Sequence, residues 1–113
     1  MENSGPTRKL FLLPSPHKAR KEIIKFIADS GAGFTGFYIG TASDPDTALF
    51  SHHHVDKGSS LWTFQDAGQE EAARTIAKFI IDTYQAKGYA GKGDGNARYV
   101  YAFVMTGTTD NSP

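Results

Sequence analysis

YIGTASDPDTALFSHHH (38–54) is the stretch on which the reading of this chain turns. Tyr38 and Ile39 are aromatic and β-branched, so the run opens as a strand. Gly40 lets another group approach that strand's backbone closely. Asp44-Pro45 then signals a helix start, a capping carboxylate followed by a proline whose missing N–H costs nothing in the first turn. The spacing predicts a short helix over 45–54. Ala48 and His52 lie four apart and share one face of it. Tyr38, Ala48 and His52 therefore border one shallow site, where a phenol, an imidazole and a helix N-terminus suit a phosphate. Adjacent helical residues point about 100° apart, so His52, His53 and His54 do not converge on one metal, and no metal ligands are expected.

The flanking segments set the fold. KLFLL (9–13) reads as a short buried strand ended by Pro14. Ser15-Pro16 opens a helix over 16–29 that Gly31 closes. Ile23, Ile24 and Ile27 face inward, and Lys18, Arg20, Lys21 and Lys25 face solvent. GFTGFYIGT (33–41) is a second strand and SLWTF (60–64) a third, with Trp62 and Phe64 read as core rather than as a base-stacking platform. Asp66 with Gln69 forms a capping-box variant for a helix over 67–87 that buries Ala73, Ile76, Ile80 and Tyr84. Glu70 and Glu71 are favourable charges in its first turn. Gly88 ends it, YAGKGDGN (89–96) is a glycine-rich loop, and ARYVYAFVM (97–105) is apolar enough for a central strand. The order β-α-β-α-β-α-β describes one small α/β domain over 8–106, a mixed sheet flanked by helices. Residues 1–7 and 107–113 read as flexible tails.

Composition narrows the function classes. The chain has 113 residues and no cysteine, which excludes a disulfide framework and a thiolate metal site. Twelve basic and twelve acidic residues cancel, which argues against a polybasic binder. Local basic faces remain on the first helix and around the glycine-rich loop, where Lys87, Lys92 and Arg98 stand. They predict modest, salt-dependent contact with phosphates. The aliphatic run 10–13 is too short for a membrane span, so no membrane partner is expected and a cytoplasmic location fits.

YIG (38–40) followed by DPDTALFSHH (44–53) resembles the second half of the GIY-YIG endonuclease signature. The following VDKGSSLWTFQDAGQEEAARTIAKFIID (55–82) resembles that family's next strand and helix, and GYAGKGDGNARYVYAF (88–103) resembles the closing loop and strand of a small bacterial and phage-like branch. The likeness covers roughly 34–104. It implies a GIY-YIG-like fold, hydrolysis of DNA phosphodiesters, and a Mg²⁺ or Mn²⁺ cofactor when the site is intact. Tyr38 and His52 match the motif tyrosine and histidine, and Gly40 matches its glycine beside the nucleic acid. The family arginine, eight residues after the motif glycine, is replaced by Ala48, and the helix glutamate by Ala77. The first motif tyrosine has Phe11 as its nearest aromatic counterpart. Losing such an arginine costs about 10³–10⁵ in rate, and Mg²⁺ without its carboxylate lacks a hard oxygen donor. The implied protein is thus a nuclease scaffold inactive in this form, by nature or by engineering, that keeps a DNA-binding surface on Lys18, Arg20, Lys21, Lys25, Lys87, Lys92 and Arg98. The alternatives are a protein-interaction or inhibitor module on the same scaffold, and an active nuclease relying on His52, His53 or Glu71.

Overall fold

The structure, a computed structural model, describes residues 14–59, 61–91 and 96–113. The strand expected over 9–13, Phe11 and Lys92 lie outside these. Helix α1 (Pro16–Ser30) begins as its sequence dictates, with Ser15 Oγ accepting the Lys18 N–H at 3.3 Å and Pro16 in the first turn. It stops at Gly31, whose φ of 79° is the left-handed conformation that closes helices. Gly33, also left-handed, leads through a 3-10 turn at Phe34–Gly36 into β1 (Phe37–Ala42). The expected strand 33–41 is shortened at its front by that turn. β2 (Trp62–Asp66), helix α2 (Glu70–Tyr84), β3 (Lys87–Tyr89) and β4 (Tyr99–Val104) follow.

The four strands form one mixed sheet in the order β2-β4-β1-β3. β4 is central, antiparallel to both β2 and β1, and β3 runs parallel to β1 at the far edge. Tyr38 stands opposite Phe103 and Gly40 opposite Tyr101, while Trp62 and Phe64 meet the same two β4 residues from the other side. Directly opposed residues share a face. One face carries Phe37, Ile39, Val100 and Ala102, packed beneath both helices through Ile23, Ile27, Ala73, Ile76, Ala77 and Ile80. The other carries Tyr38, Tyr101 and Phe103, covered by Leu49 and Val55 of the segment after β1. Burial on both faces explains why YVYAFV is apolar without a break.

Several boundaries differ from the sequence reading, each for a local reason. Asp66 does not cap α2. It ends β2 and its carboxylate accepts the Gly68 N–H at 2.8 Å, so the helix starts at Glu70 behind Gln69. Gln85, left-handed at φ 64°, ends α2 at Tyr84 and frees Lys87–Tyr89 to pair as a strand. That strand had been divided between the end of the helix and the start of the glycine-rich loop. Residues 107–113 are not a loose tail. Asp110 donates its N–H to the His53 carbonyl at 2.8 Å, and a turn held by Thr106 and Thr109 directs the chain there.

Gly88 shows how closely β3 is fitted. Its φ is 141°, and an added Cβ would strike the Ile39 carbonyl. Gly31 has a positive φ but open space around its missing side chain. Gly31→Ala is expected to cost about 1–2 kcal/mol from backbone strain alone, and Gly88→Ala about 3 kcal/mol or more because overpacking adds to strain. Urea unfolding of the two variants beside the parent measures the difference.

Candidate functional site

The site begins with a ring lying on a backbone. A Cβ on Gly40 would collide with the Tyr101 phenol ring, so only glycine lets that ring lie across β1. This corrects the role expected of Gly40. It is buried beneath Tyr101 and offers no surface to a phosphate.

The segment over this face is a helix of unusual gauge. Asp44 starts it as the sequence predicts, its carboxylate accepting from the Thr47 N–H at 3.3 Å and the Thr47 hydroxyl at 2.9 Å. These bonds hold the Asp44 carboxyl below the usual carboxylate range. Thr47–His52 then runs as a π-helix, and the His53 N–H reaches back five residues to the Ala48 carbonyl at 2.9 Å. Such wide turns are rare and concentrate at functional sites. His54, at φ 58°, ends the segment.

The extra residue in the turn decides which histidine faces inward. His53 is fully buried, while His52 is exposed and its Nε2 lies 3.2 Å from the Ser112 carbonyl oxygen. His53 Nδ1 lies 2.6 Å from the Asp110 carbonyl oxygen and Nε2 lies 2.7 Å from the Tyr101 hydroxyl. A carbonyl only accepts, so Nδ1 carries a proton. Burial holds the His53 pKa below the ordinary value and so favours the neutral ring, in which Nε2 accepts from the Tyr101 O–H. Burial likewise pushes the Tyr101 phenol well above its ordinary range.

Tyr38 lies beside this pair, its ring centroid 4.7 Å from that of His53 and 5.2 Å from that of Phe103. Only 3% of the residue is exposed, and its hydroxyl is buried with no hydrogen-bond partner. Burial raises its pKa, and nearby Asp110 raises it further. The histidine that meets Tyr38 is thus His53, while His52, the residue expected here, lies against the Ser112 carbonyl. Tyr101 was missed because its role depends on the β1–β4 register, which no local pattern announces.

The remaining expected site residues do not assemble here. Ala48 packs at the edge of the Tyr38 cluster. Ala77 is fully buried in the core between α2 and the opposite face of the sheet, so the two alanines lie on opposite sides. Lys18, Arg20, Lys21 and Lys25 are exposed along α1, also on the helix side. Lys25 is paired with Asp29 at 2.6 Å, and Arg20 lies over the Phe79 ring at 5.2 Å. Lys87 is exposed on edge strand β3, and Arg98, paired with Asp66 at 3.0 Å, is exposed just before β4.

The described residues at this site offer few donors to a divalent metal. Ala48 and Ala77 supply no donor, and both nitrogens of His53 are engaged. Among the described residues, no three His, Cys, Asp or Glu side chains are grouped as a metal ion would need. No described helix is long and apolar enough to cross a membrane. No family model, curated protein or solved structure matches the chain.

Two outcomes test this geometry. Tyr38→Phe removes an unpartnered buried hydroxyl and is expected to leave stability unchanged or raise it by about 1 kcal/mol; a clear loss in urea unfolding would show that the hydroxyl is bonded. The second concerns pH. Because folding depresses the pKa of His53, the unfolded chain binds more protons just below the ordinary 6.5. The His53 contribution is therefore full above about pH 6.5 and declines as the pH falls toward the folded value. His53→Gln is expected to flatten that decline in urea unfolding from neutral to mildly acidic pH.

Proposed function

We propose that this chain is a nucleic-acid-handling domain of GIY-YIG-like design that binds DNA and, in this form, does not hydrolyse it. The observation that carries the reading is the meeting on one sheet face of the YIG strand, Tyr38, and the π-helical segment from Ala48 to His53. A tyrosine, a histidine and a position for a cation in one place is the arrangement that the sequence resemblance implies. The loss of hydrolysis follows from Ala48, which brings no charge to a phosphate, and from Ala77, which supports no metal ligand. Neither Glu71 nor His53 replaces them. Glu71 lines a groove on the helix side, and His53 spends both nitrogens on Asp110 and Tyr101.

One observation favours the interaction-module reading. Between α1 and α2 lies a cavity of about 490 Å³ lined by Pro16, His17, Arg20, Ala72, Ile76 and Phe79. Phe79 is 37% exposed there and gives the groove an apolar wall.

The test pairs binding with cleavage. A labelled DNA oligonucleotide is expected to bind at about 50 mM salt and to weaken toward about 200 mM, with no nicking of supercoiled plasmid in Mg²⁺ or Mn²⁺. Ala48→Arg is expected to steepen the log–log salt dependence by about 0.7–0.9, the contribution of one added phosphate contact. Ala77→Glu is expected to lose about 3–5 kcal/mol of stability, because it strands a charge in an apolar core. Absence of DNA binding even at low salt would favour the interaction module, and nicking would reinstate an active nuclease.

A further inference from the structure

The sheet face that holds Tyr38 continues past the cover of the π-helical segment. Beyond Phe103 and Tyr101, edge strand β2 presents Trp62 and Phe64 on the same face, and β4 begins with Tyr99. These three rings and Phe50 are half-buried. They form a row: Phe50 meets Trp62 edge to face at 5.0 Å, Trp62 and Phe64 stand 6.3 Å apart with planes nearly parallel, and Phe64 meets Tyr99 edge to face at 6.0 Å. A cation sits over each end, Lys57 Nζ 5.3 Å from the Phe50 ring centre and Arg98 Cζ 5.4 Å from that of Tyr99. Past Tyr99 opens a polar cavity of about 460 Å³ bordered by Ser43, Gln69 and Arg98. Core aromatics at a sheet edge would be sealed by neighbouring chain; these are left partly open and flanked by positive charge.

We propose that this row is a binding surface for single-stranded DNA, with bases stacked on Phe50, Trp62, Phe64 and Tyr99 and phosphates met by Lys57 and Arg98. The inference rests on the nucleic-acid reading above and specifies its substrate as unpaired strand. Every base has a π-face, so a row of rings binds strands with little sequence preference, and four rings suit a site of about four nucleotides. Paired bases inside a duplex cannot offer those faces. The assignment to DNA rather than RNA follows the DNA reading above, and a strand carrying 2′-hydroxyls tests it. Arg98 is shared with Asp66, so charge contributes modestly and stacking dominates.

Trp62 is the chain's only tryptophan, and its fluorescence reports on the surface directly. The probes are an oligothymidine of about twelve nucleotides, its duplex with oligoadenosine, an abasic strand of the same length, and oligouridine. Oligothymidine is expected to quench Trp62 and to bind at least about tenfold more tightly than the duplex or the abasic strand. With two phosphate contacts, the single-strand salt slope is expected near −1.4. Phe64→Leu and Tyr99→Leu keep apolar bulk and remove the π-face. Each is expected to weaken binding about 5- to 150-fold while still unfolding cooperatively in urea, and Phe64→Tyr to retain binding. Duplex binding equal to that of the single strand, without quenching, would overturn the platform and leave the DNA-binding reading standing. Equal binding of the abasic strand would overturn stacking, and tighter binding of oligouridine would overturn the assignment to DNA. If no probe binds at low salt, both readings fall together.

Discussion

The imidazole of His53 joins three parts of the chain that are far apart in sequence. Its Nδ1 holds the Asp110 carbonyl, its Nε2 takes the Tyr101 hydroxyl proton, and its backbone closes the π-helical segment on Ala48. The Asp110 carbonyl cannot donate, which puts a proton on Nδ1 and, in the neutral ring that burial favours, leaves Nε2 to accept from Tyr101. Once the Tyr101 hydroxyl is fixed, its ring lies over Gly40, and the β1–β4 register has little freedom to shift. A one-residue slip would place a side chain under that ring and turn every aromatic of the face over. A single buried neutral histidine thus ties together register, cover and chain end. Its burial is costly for the protonated form and tolerable for the neutral one.

This arrangement separates what the sequence discloses from what it conceals. α1 was legible almost to the residue, because Ser15, Pro16 and Gly31 each act locally. α2 and β4 were legible from their apolar patterns, which reflect burial on one stripe and on two faces. β3 was not, since all three of its residues are exposed and one is glycine, leaving no alternation to detect. The π-helical turn was not, because its hydrogen-bond step depends on tertiary packing of Leu49 and Val55 rather than on propensity. Gly40 was read correctly as a point of close approach, but the approaching group is Tyr101 from the same chain. Ala77 was placed with the site because a linear motif carries no information about which side of a sheet a helix covers.

The distribution of charge follows the same division between faces. Four of the lysines and arginines singled out from sequence lie on α1, on the side of the sheet away from Tyr38. They do not form one stripe with Arg98, and some are already neutralised by Asp29 or laid over Phe79. In a chain of zero formal charge, long-range attraction for a polyanion is weak. Any substantial affinity on the aromatic side must then come from short-range contact. Ring stacking supplies about 1–3 kcal/mol per base, against about 0–1 kcal/mol for an exposed ion pair. On that comparison the partly open rings of β2 outweigh the scattered cations.

Access sets the last constraint. Proton transfer at a phosphate requires a donor or acceptor within hydrogen-bond reach of the reacting atoms. The Tyr38 hydroxyl is enclosed by His53, Phe103 and the chain around Asp110, and it meets no substrate while they stay in place. His52, the accessible histidine, faces Ser112 rather than Tyr38. Adding a cation at Ala48 would supply charge to the surface without opening the phenol to it. On the reading proposed above, hydrolysis meets two obstacles: Ala48 and Ala77 bring no charge, and the Tyr38 hydroxyl is enclosed while both His53 nitrogens are engaged within the fold. The packing that encloses Tyr38 also joins β1 to β4, and β4 in turn carries Tyr99 and pairs with β2, so the row of rings and the buried cluster share one sheet face.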